Sequence, residues 1–239
     1  MASIHILADG YSRILEGKME ANCSCVLVKG EDNIIVDTMT AWDGHYILQA
    51  LRKCNLTTDD INWVVCTHGH SDHTGNNNLF LKAKHIVGFS LNQKNVFLET
   101  ELLKGNEFVI NKHVRVLPTP GHTLTDVSVL VTTPDKNIVA ISGDLFEKEE
   151  DINDPSIWRE IAGSEAPELQ IINRSKIAEI ASFIIPGHGP YFKVTDEMRS
   201  KLKEQLTPPC EQCSTSPDVK LPEKSAGEYP QKDIETIAV

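Results

Sequence analysis

Residues 67–73 read Thr67-His68-Gly69-His70-Ser71-Asp72-His73, directly after the apolar, β-rich run Asn62–Thr67. Three histidines and an aspartate thus fall within six consecutive positions. Imidazole nitrogen and carboxylate oxygen are good ligands for Zn²⁺, and also for iron or manganese. A strand sends alternate side chains to opposite faces, so it could not aim all four at one place. A loop leaving a strand can, and Gly69 and Gly75 give this one backbone freedom. Three adjacent ionisable rings and a carboxylate would desolvate one another at high cost without a cation. Four ligand-type side chains also exceed what one tetrahedral ion takes from a single loop while keeping an open coordination position. The spacing therefore predicts two metal ions, most simply zinc, sharing the loop.

Outward from this cluster the same event recurs three times. His122 lies in Thr119-Pro120-Gly121-His122 after the run Val114–Leu117. Asp144 lies in Ser142-Gly143-Asp144 after Asn137–Ile141, and His188 in Pro186-Gly187-His188-Gly189 after Ser182–Ile185. Each time an apolar β run ends in a glycine-containing turn and then a ligand-type residue. Four such ends are expected to converge on one edge of a sheet sandwich, where loops carry function. His5, His45, His85 and His113 lack this context and are expected to be surface or core residues.

Further runs at 23–28, 34–37, 85–89 and 126–131 read as strands. Helical spacing covers 43–54, with Tyr46, Ile47, Ala50, Leu51 and Cys54 in phase, as well as 168–182 and 195–206, the last with Thr195 as N-cap. Thr57 or Thr58 is expected to cap a short turn before Asn62. Strands in both halves separated by helices predict a layered α/β domain over 1–206. From Thr207 onward five of the twelve prolines fall in 33 residues with few apolar neighbours, so 207–239 is expected to be a disordered polar tail.

The 239 residues carry a net charge of −11 with histidines neutral. Such a chain repels phosphate at long range, although bound divalent metals would reverse that locally. The first six residues lack a basic segment followed by a long apolar run, and no stretch approaches the ~20 apolar residues of a membrane span. A soluble, intracellular protein is expected, in the cytosol or also the nucleus. Cys23 and Cys25 are predicted on one strand face and Cys54 and Cys66 as buried thiols. Cys210 and Cys213 form an isolated CxxC, read as solvated thiols in the tail.

The motifs THGHSDHTGN at 67–76, TPGH at 119–122, GDLFE at 143–147 and PGHGPYF at 186–192 resemble the metallo-β-lactamase fold superfamily, in its glyoxalase-II-like branch. The resemblance covers about Cys25 to Phe192 and implies an αββα four-layer sandwich. It implies that His68, His70 and His122 hold one metal and that Asp72, His73 and His188 hold the second, with Asp144 bridging both. Asp37, in Val36-Asp37-Thr38, is then the group that orients the histidine loop. A finer resemblance, carried also by Leu79-Phe80 and DVSV at 126–129, is to an endoribonuclease of this branch that acts in 3′-end processing of histone pre-mRNA. It implies an RNA substrate and a homodimer. In a two-metal mechanism Asp72 is also a candidate to pass a proton to the leaving group.

The inserted domain with which many nucleases of the superfamily clamp RNA is absent. With only 51 residues after His188, the long C-terminal helical region that holds glutathione in glyoxalase II is expected to be missing as well. The acidic stretch 147–154 would oppose a polyanion unless it points away or binds cations. A glyoxalase-II-type thioester hydrolase, a mono-iron dioxygenase and a non-enzymatic scaffold are the competing readings.

Overall fold

A computed structural model of the chain describes residues 2–206. Residues 207–239, including Cys210 and Cys213 and the segment expected to be a tail, lie outside the described residues.

Two mixed sheets form the centre. The first is built from β1 (Ser3–Ala8), β4 (Cys25–Lys29), β5 (Ile34–Val36), β6 (Trp63–Cys66), β7 (Lys84–Val87), β8 (Ser90–Gln93) and β9 (Val96–Leu98), adjacent in that order. The second runs β10 (Phe108–Asn111), β11 (Val114–Pro118), β12 (Val127–Thr132), β13 (Ile138–Gly143), β14 (Phe183–Pro186) and β15 (Phe192–Lys193). A separate hairpin joins β2 (Tyr11–Leu15) to β3 (Lys18–Asn22). The parallel pairs are β5–β6, β6–β7 and β13–β14; the other neighbours are antiparallel.

The layering follows from strand alternation. Val26, Val28, Ile34, Val36 and Val65 of the first sheet pack against Val116, Val127, Val129, Val131, Ile141 and Ile185 of the second. The alternate residues Leu27, Ile35 and Val64 turn outward to Ile47 and Leu51 of α1 (Gly44–Lys53). Leu130, Ala140 and Ile184 turn the other way, to Ile177 and Ala178 of α3 (Pro167–Ile180) and Leu202 of α4 (Asp196–Glu204). The central strands therefore bury both faces, which is why they read as continuous apolar runs. Each fully buried Ile or Leu contributes about 1.5–3 kcal/mol. The expected αββα sandwich is present. Among the described residues, no helix is long and apolar enough to cross a membrane.

The predicted helices stand within two residues of their expected bounds, and Thr195 accepts a hydrogen bond from the Met198 N–H at 3.2 Å. Thr57 precedes the turn Thr58–Asp60 and donates to Asp60 through its N–H (2.8 Å) and hydroxyl (2.7 Å). Cys23 lies just before β4, not in it, yet shares a buried cluster with Cys25 and Cys66. Cys54, at the end of α1, is half-buried.

Candidate metal centre

The edge where β5, β6, β11, β13 and β14 end holds all seven predicted side chains. The chain leaves β6 through Thr67, passes His68, Gly69 and His70, and turns through the one-turn helix α2 (Ser71–Thr74), which carries Asp72 and His73. His122 follows β11, while Asp144 and His188 follow the adjacent parallel strands β13 and β14. Gly143 adopts a left-handed φ of +51°, and a Cβ there would overlap the Thr67 side chain. Only glycine lets the Asp144 loop close onto the histidine loop.

The four strand ends converge within hydrogen-bonding reach of one another. His70 Nδ1 lies 2.9 Å from His68 Nε2 and 3.0 Å from His122 Nε2. Asp144 Oδ2 is 3.6 Å from His68 Nε2, 3.4 Å from His122 Nε2 and 3.2 Å from His188 Nε2. Its Oδ1 is 3.2 Å from His73 Nε2. Asp72 Oδ2 stands 3.8 Å from His73 Nε2 and 3.7 Å from His188 Nε2. Asp144 thus touches two groups, His68/His70/His122 on one side and Asp72/His73/His188 on the other. His68, His73, His122, Asp144 and His188 are buried, whereas His70 is exposed and Asp72 partly so.

Proton accounting shows what these atoms lack. His73 Nδ1 donates to Asp37 Oδ2 at 2.9 Å, His188 Nδ1 to the Asn22 carbonyl at 3.0 Å and His122 Nδ1 to the Gly163 carbonyl at 2.9 Å. A neutral imidazole has one N–H, so each of these rings turns an Nε2 lone pair toward the Asp144 carboxylate. Lone pairs facing an anion repel unless a proton or metal ion lies between them. His73 Nε2 and Asp144 Oδ1 are correspondingly buried without a hydrogen-bond partner among the described residues. The donor set fits metal ions: the outer nitrogens are anchored, and the inner ones converge as free lone pairs.

The metal-free electrostatics give the same picture. Burial works against a charged His188, yet Asp144 beside it raises its pKa to about 9. Burial likewise opposes His73, but Asp144 and Asp37 together hold it well above the ordinary histidine value. His68 lies well below that value because it is buried next to His73. Burial, reinforced by Asp144, lifts Glu147 to about 8, and burial lifts Asp126 to about 7.

Asp37 behaves as expected. Its Oδ1 accepts the Thr67 N–H at 2.7 Å while Oδ2 holds His73, so one carboxylate fixes both ends of the histidine loop. It does so from a left-handed backbone, φ 57°, which a non-glycine residue adopts only under local compulsion. His5, His45 and His85 find other partners, in Ser3, Gln49 and the Phe80 carbonyl.

The sequence reading missed three residues of α3. Gln170 donates to the Asp144 carbonyl (3.0 Å), Asn173 to the Pro120 carbonyl (2.7 Å) and Arg174 to the Leu145 carbonyl (2.8 Å). This helix therefore clamps the loops of His122 and Asp144. Polar residues at i, i+3 and i+4 read from sequence as a solvent face, so the pattern gave no sign that this face turns inward.

A profile of the metallo-beta-lactamase superfamily matches residues 20–211. The chain belongs to that superfamily. It is 38% identical over 195 residues to metallo-beta-lactamase domain-containing protein 1 of Xenopus laevis, spanning 80% of this chain and 82% of the frog protein. The human protein of the same name is 36% identical over 167 residues, and that match spans 69% of this chain but only 60% of the human one. Among solved structures, a metal-dependent hydrolase from Staphylococcus aureus, named as probable, superimposes with a TM-score of 0.60 at 14% identity, covering 82% of this chain and 94% of that one. An N-acyl homoserine lactone hydrolase with its product at the catalytic metal center gives 0.53 at 16% identity, covering 79% and 92%. At those identities the two structures speak for the fold alone. With the family and the buried His/Asp cluster together, the chain is a metal-dependent hydrolase whose centre suits two ions.

Proposed function

We propose that this protein is a dinuclear metal-dependent endoribonuclease that hydrolyses RNA phosphodiesters. The observation that carries the dinuclear reading is the position of Asp144: Oδ2 faces His122 and His68, and Oδ1 faces His73. One carboxylate can then serve both ions. His68, His70 and His122 would hold the first, and Asp72, His73 and His188 the second. Bound as a pair, the ions would supply Lewis acidity and a water nucleophile of lowered pKa. Zinc is the first choice, with iron or manganese as alternatives.

The chain's own groups do the rest. Asp37 fixes His73 in the tautomer that presents Nε2 inward, as the Asn22 and Gly163 carbonyls do for His188 and His122. Asp72, its side chain 21% exposed, is the carboxyl group of the centre that can reach solvent and pass a proton to a departing oxygen. No serine or cysteine nucleophile is needed.

The RNA reading draws support from the motifs GDLFE and PGHGPYF and from the 38% identity to the frog relative. The acidic stretch 147–154 also opposes a polyanion less than its composition implies. Glu147 and Asp151 are buried, and Arg174 neutralises Asp151 through contacts of 2.5 and 3.0 Å. Glu149, Glu150 and Asp154 remain exposed.

Purified full-length protein loaded with Zn²⁺ or Mn²⁺ should cleave single-stranded RNA, and Asp72→Asn should slow that cleavage. Turnover of S-lactoylglutathione with no RNA cleavage would overturn the nuclease reading and support a thioester hydrolase. One iron per chain would point to oxygen chemistry instead.

A further inference from the structure

Glu147, the last residue of the GDLFE motif, has no role in the centre described above, and its surroundings demand one. It is 1% exposed, and neither carboxylate oxygen has a hydrogen-bond partner among the described residues. Of the cationic groups nearby, Arg174 is committed to Asp151, His73 and His188 turn their Nε2 atoms to Asp144 at 3.2 Å, and Lys148 reaches away to the Ser12 carbonyl at 3.1 Å. An ionised carboxylate buried without partners costs several kcal/mol, so a cation or a proton must accompany it. Meanwhile Glu147, Asp144 and His188 each offer one ligand atom, and these atoms lie within 4.8 Å of one another. Three donors spread evenly around one ion stand about 3.8 Å apart at most when each bond is 2.0–2.2 Å. Side-chain adjustment of up to about an ångström would bring the three onto a common ion.

We propose that Glu147 is a further ligand of the ion held by His188 and Asp144. The inference rests on the two-metal reading and deepens it. The two halves then differ in chemistry: three imidazoles and one carboxylate against two imidazoles and up to three carboxylates. Imidazole suits zinc, whereas carboxylate oxygen suits harder ions such as Mn²⁺. The His188 half is therefore the one that takes Mn²⁺ more tightly.

The test uses the full chain stripped of metal and titrated with Mn²⁺ alone, free Mn²⁺ being read by electron paramagnetic resonance. Wild type should show two classes of site. Glu147→Gln, which keeps shape and removes charge, should weaken the tighter class at least about tenfold and leave the weaker one unchanged. Glu147→Asp, with a shorter reach, should weaken the same class and carries the same comparison if the glutamine variant does not fold. Wild-type Mn²⁺ affinity in both variants, with two equivalents of Zn²⁺ still bound, would overturn the proposal alone and mark Glu147 as a buried, protonated acid. Fewer than two Zn²⁺ equivalents on the wild-type chain would instead overturn the two-metal reading, and this proposal with it.

Discussion

The two halves of the centre are built from one strand-edge pattern but are anchored differently. On the His68/His70/His122 side, neighbouring histidines crowd one another and burial keeps His68 and His122 below their ordinary pKa. On the Asp72/His73/His188 side, carboxylates hold His73 and His188 above it. Each half keeps one ligand-type side chain toward solvent, His70 in the first and Asp72 in the second. The difference shows how one loop can serve two ions without making them equivalent. The first half is a nitrogen cage and the second an acidic one, and Asp144 is the only one of the seven that faces both.

Asp144→Ala should break the comparison outright, because both halves lose a shared ligand. We expect fewer than two metal equivalents by elemental analysis and a loss of activity on the order of 10³-fold, at or beyond the upper range for removing one charge-stabilising donor. Unchanged stoichiometry would remove Asp144 from the metal shell. Asp37→Asn should act on one half only. It replaces an obligate acceptor at His73 Nδ1 by an ambiguous amide, so metal affinity of the acidic half should fall about 10- to 100-fold while the nitrogen half is spared. Competition with a chelator, fitted to two sites, reads the split; equal weakening of both would contradict it.

The halves should also separate by pH in the metal-free chain, where protons replace the cations. His188, raised to about 9, contributes stability that is complete below the ordinary histidine value and is lost as pH climbs through 9. Glu147 at about 8 and Asp126 at about 7 act in the same direction, since the fold favours their protonated forms. His68 and His122, shifted down, lose their contribution only as pH falls below the histidine range. The metal-free melting temperature should therefore fall between about pH 6.5 and pH 9, with metal giving its largest rise at the alkaline end. A metal-free melting temperature that rises over this range would refute the assignment. The smallest effect belongs to α3. Gln170→Ala leaves the Asp144 carbonyl without its 3.0 Å donor and should cost about 1–3 kcal/mol in urea unfolding, with metal stoichiometry intact.

How far the sequence reached depended on which physical signal each element carries. The centre was legible because ligand chemistry is local: four residues of 68–73 declare themselves by type and spacing. The central strands were legible because burial on both faces makes them apolar throughout, as in Val64-Val65-Cys66 and Val127–Val131. The strands β1, β2, β3, β8, β9, β10 and β15 went unread. Most are half-exposed, as in Tyr11–Leu15 and Val96–Leu98, so polar and apolar residues mix without a run. The α3 clamp was hidden because its inward face carries Gln170, Asn173 and Arg174 where a core helix would carry leucine. Glu147 was hidden by composition: among Glu147, Glu149, Glu150 and Asp151 it looks like one more surface acid, and only burial separates it from Glu149 and Glu150.

Anomalous diffraction from crystals of the full chain soaked in Zn²⁺ tests the central claim most directly. Two peaks should appear, one among His68, His70 and His122 and one among Asp72, His73 and His188, with Asp144 reaching both. A single peak, or two that leave Asp144 without contact to either, would contradict the account.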